Sequence, residues 1–480
     1  LIIALHFVFT KVGVASTHNV SEFLRLSGLS AFVAASKTTQ KKISGQMNTK
    51  LAEFAQEEIE QLGSQMPAKR ITMCEDETYH PEICMVAIEP ISNFILAEEY
   101  TQDCCGSTWN QVIGQALSSL AVTVVQVGSD EGTGLLNHVK NGLQVHHSPD
   151  LFHVVYDISK GTSAALASKV KQAEEADQKA KDLVQKNKDK QEAAVKETPH
   201  ADDKYLALFQ TSIIAAQDVQ SQTQDNLAKA KQNQADVQQA RQDIGQIYHP
   251  YDLETAYPKT PEQLKEQLTG CFKQIDPAIE FLSERAKRHV NKARKLIDKM
   301  VGTLAFFFLS IQQLVLDTHA SEEMKQELLN LWIPALYLKR IAPLQKDTQQ
   351  KESLIKKAEA LLEKLYRRDG PLSQLTKEQF RELYKTAKDC AYLFQRSSSC
   401  VEGRNAQLAL RHHTEHRLNN RSIPAITAVH NFHITRNDQT TAAQRFFQRE
   451  HRNLFNELLN LMDLPLRPRV RENHAVAWAS

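Results

Sequence analysis

The sequence predicts an α/β layer, interrupted by a large all-helical segment and flanked by helical N- and C-terminal regions. Three observations carry that prediction. Between Ile71 and His146, short apolar and β-branched runs alternate with turn signals and stretches of helical spacing. Between Gly161 and Gly245 no glycine occurs, Pro199 is the single proline, and the composition turns to Ala, Gln, Lys, Asp and Glu. Residues 396–480 hold twelve Arg, no Lys and seven acids, a local net of +5 in a chain whose total is +1. The division that follows is 1–66 helical, 67–160 α/β, 161–395 helical, and 396–480 helical and basic.

Each element follows from its residues. Short helices are expected at 20–29 and 38–63. They read equally as a remnant of a helix-turn-helix DNA-binding domain or as a lead-in to the next domain. Ile71 and Met73, then Asp76, fit a short strand ending in acid. The runs 83–88 and 94–96 are two more strands, separated by the Glu89-Pro90 turn signal, and 109–119 has helical spacing. The stretch 121–127, Ala-Val-Thr-Val-Val-Gln-Val, is apolar and β-branched enough for a buried central strand. It runs into Gly128-Ser129-Asp130, a short helix bearing Leu135, Leu136 and Val139, and a last strand near 143–146. That order implies three antiparallel strands leading into parallel ones. Residues 162–197 and 201–247 read as two long helices folded back at Thr198-Pro199. Further helices fill 250–395, with breaks expected at Pro250, Pro258, Pro277, Pro334, Pro343 and Pro371. Two more are expected at 401–417 and 425–432.

Composition excludes some classes. Lys plus Arg is 58 against 57 acids, which rules out a uniformly basic nucleic-acid coat and an acidic disordered chain. Seven scattered cysteines with no CxxC pair signal neither a zinc ribbon nor a thioredoxin-type site, and point to reduced thiols in a cytoplasm. The apolar run 304–316 is short for a membrane span and carries Gln312 and Gln313, so a buried helix is expected. The apolar start, 1–9, lacks a basic region before it and a small-residue cleavage site after it. It has no Met, which reads as a fragment.

Three acids stand out by position. Asp76 sits in Glu75-Asp76-Glu77-Thr78, Asp130 in Gly128-Ser129-Asp130-Glu131-Gly132, and Glu402 in Ser398-Ser399-Cys400-Val401-Glu402-Gly403-Arg404-Asn405. Neighbouring strand ends would bring Asp76 and Asp130 to one sheet edge, and a helix packed there would add Glu402. Converging carboxylates need a cation, and hard oxygen ligands suit Mg²⁺ or Mn²⁺. Each acid also has an ordinary reading. Asp76 is an acid in a turn, and its neighbour Glu75 is a rival for the same face. Asp130 is a helix cap or part of a phosphate loop, although no Gly-Lys-Ser/Thr follows. Glu402 is a favourable acid in a first helical turn. Asp150 is a rival second acid, or the cap of the next helix.

These residues resemble the DDE transposases of bacterial insertion sequences. Asp76-Glu77-Thr78 followed by Val86-Ala87-Ile88-Glu89-Pro90 looks like the first-aspartate hairpin, and 126–132 like the second-aspartate strand. Residues 147–153 (His-Ser-Pro-Asp-Leu-Phe-His) look like a segment that follows in one subgroup. Residues 398–405 look like the third-acid helix, and His430-Asn431-Phe432 with 440–447 like that subgroup's C-terminal stretch. The resemblance covers about 71–160 and 395–447. It implies an α/β ribonuclease-H-like core interrupted by a large all-α insertion. It implies metal-dependent DNA strand cleavage and strand transfer at element ends. Asp76, Asp130 and Glu402 would be the catalytic triad, holding two Mg²⁺ or Mn²⁺ ions. Arg404, Asn405 and Arg411 would contact DNA. The expected partners are element-end and target DNA and a second copy in a synaptic homodimer, with no membrane. The expected location is the bacterial cytoplasm, at the nucleoid.

The sequence also departs from that pattern. It has no clear intact N-terminal DNA-binding domain, no basic residue near Asp103-Cys104-Cys105, and Gln439 where a turn favours glycine. An inactive or domesticated remnant, serving as a DNA-binding or helical scaffold protein, is the competing class. A nuclease of the same fold without strand transfer is the third. His412, His413 and His416 have helical metal-ligand spacing but no third ligand type beside them, and read as a polar face. His146, His147 and His153 read as structural, with His153 near the acids. Cys104-Cys105 reads as buried or incidental, and Phe446-Phe447 as core.

Overall fold

Five short strands, β1 (Lys69–Tyr79), β2 (Ile83–Glu89), β3 (Phe94–Thr101), β4 (Val122–Ser129) and β5 (His146–Pro149), form one mixed sheet, with β1 and β2 buried in continuous runs. The computed structural model describes residues 1–79, 82–197, 203–415, 418–463 and 465–468. The chain is mostly helical around this small five-stranded sheet, whose order is β3-β2-β1-β4-β5. β1 pairs antiparallel with β2 and β2 with β3, while β4 runs parallel to β1 and β5 parallel to β4. Helix Gly106–Leu117 precedes β4, and helix Thr133–Asn137 with the turn His138–Leu143 precedes β5.

Two expectations shift. β1 does not end at Asp76. It runs on to Tyr79 because β2 continues to pair with it, Asp76 lying opposite Val86. The last strand lies three residues later than expected, because pairing with β4 fixes Gln126 opposite His146 and Ser129 opposite Pro149. Parallel pairing, rather than the β-propensity of His-His-Ser-Pro, decides that position.

By contacts the chain divides into two units, Leu1–Asp150 with Ser397 onward, and Leu151–Arg396. In the first, both sheet faces are covered. Met73, Met85, Ala87 and Val127 pack with Trp109 and Ile113 of the Gly106–Leu117 helix. The same core takes in Met47, Leu51 and Phe54 of helix Lys37–Gln65, and Phe432, Phe446 and Phe447. Residues 1–66 are therefore built into this core, from Ile2 and Leu5 onward, rather than standing apart. On the opposite face Cys74, Val86 and Ile88 pack against Val401 and Leu408 of helix Ser399–Glu415. The outer edge of β3 is closed by two asparagine side chains. Asn431 bonds the backbone N–H and C=O of Ile95 at 2.9 and 3.0 Å, and Asn420 those of Tyr100 at 2.8 and 3.0 Å.

The second unit is all helical. Leu151–Glu197 and Asp203–Ile247 lie antiparallel: Asn187 Nδ2 donates to the Ser212 carbonyl at 3.1 Å, and Lys231 pairs with Glu174 at 3.0 Å. The expected turn at Thr198-Pro199 lies outside the described residues, as does His416. Pro277 does not break its helix, which runs Pro261–Ile279 and carries it in the last turn. Pro334 stands in the first turn of helix Ile333–Ile341, where its missing N–H costs nothing. The stretch Glu284–Leu316 is long and apolar enough to cross a membrane by length and composition. Its helix Ile297–Leu316 buries Met300, Leu304, Phe307, Ile311 and Val315 and leaves Leu309 and Leu316 exposed.

Candidate functional site

Sheet register brings the first two acids together. β1 and β4 run parallel with Cys74 opposite Gly128, so Asp76 and Asp130 stand two residues beyond the same rung. Ser129 is opposite Pro149 on β5, so Asp150 follows at the same end of the sheet. The Asp150 N–H donates to the Ser129 carbonyl at 3.2 Å. Three adjacent strands thus each deliver an acid to one edge.

The third expected acid comes from helix Ser399–Glu415, where Val401 and Leu408 fix which face meets the sheet. Glu402 and Asn405 lie one turn apart on that helix. Asn405 Nδ2 donates to Asp76 Oδ2 at 2.8 Å. Carboxylate oxygens of Glu402 and Asp150 lie within 4.8 Å of each other, and Ser398 Oγ donates to Asp150 Oδ2. Asp76 feels the whole arrangement. Burial, then the charge on Glu402, with a smaller contribution from Asp130, lifts its carboxyl to about 7. The structure therefore assembles Asp76, Asp130 and Glu402, and adds Asp150 and Asn405 beside them.

The Gly-rich segment after Asp130 does packing rather than phosphate cradling. The Gly132 N–H donates to Asp130 Oδ1 at 2.8 Å, which sets the carboxylate's orientation. A Cβ on Gly134 would overlap the Cys104 carbonyl, so that helix meets the 103–105 loop only with glycine there.

The other face of β1 carries acids of a different kind. Glu75 and His138 are both fully buried, with Nε2 3.3 Å from Glu75 Oε1 and Nδ1 2.6 Å from Asn110 Oδ1. Trp109 stacks on His138 and donates its indole N–H to Glu77 Oε1 at 3.0 Å. Glu75 thus lies on the face of β1 opposite Asp76. Sequence reasoning missed this network. Its only local signal was a histidine on the apolar face that carries Leu135 and Val139.

The expected DNA contacts need correction. Arg404 is buried and forms a two-pronged ion pair with Glu98, at 2.6 and 2.7 Å. Thr427 Oγ1 adds a 2.6 Å bond to the same carboxylate. Arg411 is buried too, donating to the carbonyls of Thr10, Lys11 and Val12 at the end of an N-terminal helical turn. Asn405 is committed to Asp76. None of the three faces outward to meet a phosphate. Phe446 and Phe447 are core, the former stacked on Phe94 at 4.5 Å. All seven cysteines are free, Cys105 exposed and Cys104 half-buried. His412 and His413 belong to no metal-ligating cluster among the described residues.

Residues 328–474 match the model of a family of unknown function, DUF6399. No curated protein matches the chain. The matched stretch contains Glu402, Asn405 and the Arg404 ion-pair partner of Glu98, but neither Asp76 nor Asp130. That match carries no activity with it.

Proposed function

We propose that the first unit is the catalytic core of a DDE-type transposase, a ribonuclease-H-like layer that cuts DNA at element ends and joins them to a target. The observation that carries this reading is the sheet order β3-β2-β1-β4-β5, with Asp76 and Asp130 in register at one edge and Glu402 on the helix packed against it. The residues fit divalent cations. Burial, then the charge on Glu402, pushes Asp76 to about 7, and the three acids offer oxygen donors. Asp76, Asp130 and Glu402 would hold the ions, Mg²⁺ or Mn²⁺. When bound, the ions supply the positive charge that stabilises a phosphoryl group during in-line displacement.

The chain's own groups would do the positioning. Asn405 holds the Asp76 carboxylate by one oxygen, and the Gly132 N–H holds Asp130. Ionised Asp76 is costly without a cation, so the site favours an ion over an empty, fully charged state. DNA contacts would have to come from residues other than Arg404 and Arg411, which are committed internally. Partners under this reading are element-end and target DNA and a second copy of the chain.

The test is Mg²⁺- or Mn²⁺-dependent nicking and strand transfer on DNA bearing the flanking ends, comparing the wild-type chain with Asp130→Asn and Glu402→Gln. Metal-dependent product lost in both variants supports the reading. Nicking without joining would make it a nuclease. Tight DNA binding with no product would make it an inactive remnant.

A further inference from the structure

Asp150 is buried at the end of β5, with its carboxylate oriented by the Ser398 hydroxyl. Its carboxylate oxygen lies within 4.8 Å of one from Glu402. Opposite ligands of Mg²⁺ stand ~4.2 Å apart and those of Ca²⁺ about 5 Å, so this spacing suits one shared cation. Acids alone crowd together in many proteins without an ion. Asn405 supplies the independent observation. It is nine-tenths buried, its Nδ2 is spent on Asp76, and its Oδ1 has no hydrogen-bond partner. Against an ionised Asp76, the form that binds a cation, flipping the amide would set oxygen against oxygen, so Oδ1 stays on the side away from that contact. It lies one turn from Glu402 on the same helical face. A buried carbonyl-type oxygen without a donor is destabilising, and a cation relieves that cost.

We propose that Asp150 and the Asn405 side-chain oxygen are further ligands of a divalent cation shared with Glu402, at a position distinct from that between Asp76 and Asp130. The inference rests on the reading of the first unit as a divalent-cation site, and it adds a ligand pair outside the three-acid pattern. The competing role for Asp150 is simply to cap the helix Leu151–Glu197 that follows it.

The experiment is Mn²⁺ binding to the full chain, by calorimetry and by electron paramagnetic resonance counting of bound ions. Wild type would be compared with Asp150→Asn, Asn405→Leu and Asp130→Asn, with melting temperatures recorded in EDTA. Two bound Mn²⁺ are expected in wild type. Asp150→Asn and Asn405→Leu each weaken one of them ~10-fold or more and leave the other, while Asp130→Asn weakens the other. A helix-capping role would lower the melting temperature in EDTA and leave Mn²⁺ affinity unchanged, which overturns the proposal. If Asp150→Asn does not fold, Ser398→Ala takes its place. It removes only the orienting hydroxyl and should weaken the same ion, and an unchanged affinity there overturns the proposal equally. Metal-dependent nicking together with Mn²⁺ binding insensitive to both variants sinks this inference and leaves the transposase reading standing. Sensitive Mn²⁺ binding without any nicking does the reverse.

Discussion

Glu75 and Asp76 are adjacent on one strand and meet opposite environments. Glu75 turns inward, one carboxylate oxygen 3.3 Å from His138 Nε2, with Trp109 stacked on that imidazole and Asn110 bonded to it. Asp76 turns to Glu402 and Asp130, and its charge is opposed by its neighbours. The difference separates a buried acid beside a histidine from one set among other acids. The first is matched by a specific partner from a local helix. The second is half-buried beside like charge, which a bound proton or an added cation relieves. Each prediction below breaks or sharpens that contrast.

The largest effect is expected from the Asp76 face. Asp130→Asn and Glu402→Gln should lower metal-dependent cleavage by at least ~10²-fold, with little change in melting temperature in EDTA. A loss of folding in step with activity would place these acids with Glu75 instead.

For the two internally paired acids, Glu75 and Glu98, stability should fall and cation affinity should not. His138→Ala leaves Glu75 buried without its partner and should cost ~3–5 kcal/mol in denaturant unfolding. Arg404→Ala strands Glu98 in the same way and should cost a similar ~3–5 kcal/mol. Neither should shift Mn²⁺ affinity in whatever fraction remains folded. For Arg404, an unchanged stability together with a reduced salt dependence of DNA binding would restore the phosphate-contact role that its burial argues against.

The raised Asp76 sets a pH dependence with a definite sign. Its carboxyl titrates near 7 in the folded chain against 3.8 for an ordinary aspartate. The metal-free fold therefore loses stability as pH rises from about 4 to about 7, since the folded state must then give up a proton that it holds more tightly. Asp76→Asn should stabilise the metal-free protein at pH 8 by ~2 kcal/mol and have little effect at pH 4. Added Mg²⁺ should shrink that advantage. Urea melts at the two pH values, with and without metal, check both statements.

These outcomes also mark what the residues alone could say. The strand runs were legible because apolar and β-branched residues cluster in short runs between turn signals, and Asp130 because it follows the strongest of them. The long antiparallel helices were legible from glycine-free composition. Partnership was not. Arg404 meets Glu98 across 306 residues of sequence, and Arg411 meets the Thr10–Val12 carbonyls across about 400. A basic residue on a helix looks the same whether a phosphate or a buried carboxylate awaits it. Asp150 was legible as a cap or a rival to Asp130, not as its companion, because its place beside Asp130 depends on the β4–β5 register and not on its neighbours in sequence.

The smallest prediction concerns a turn where sequence and structure agree. Gln439 follows Asn437-Asp438 and adopts φ +62°, the left-handed region that favours glycine. Asp438 Oδ1 accepts from the Thr440 N–H at 3.0 Å and from its hydroxyl at 2.7 Å, which fixes the turn around that residue. A side chain in this conformation costs ~1 kcal/mol, and glycine returns part of that as extra freedom in the unfolded chain. Gln439→Gly should therefore raise stability by only ~0.5 kcal/mol, leaving Mn²⁺ affinity and cleavage unchanged. The turn lies between helix Ile423–Phe432, whose Asn431 closes the β3 edge, and helix Ala442–Phe447, whose Phe446 stacks on Phe94. A gain in stability that came with altered cleavage would mean that this C-terminal stretch tunes the acid edge through β3. An isolated gain would mean that the strain at Gln439 is local to the turn.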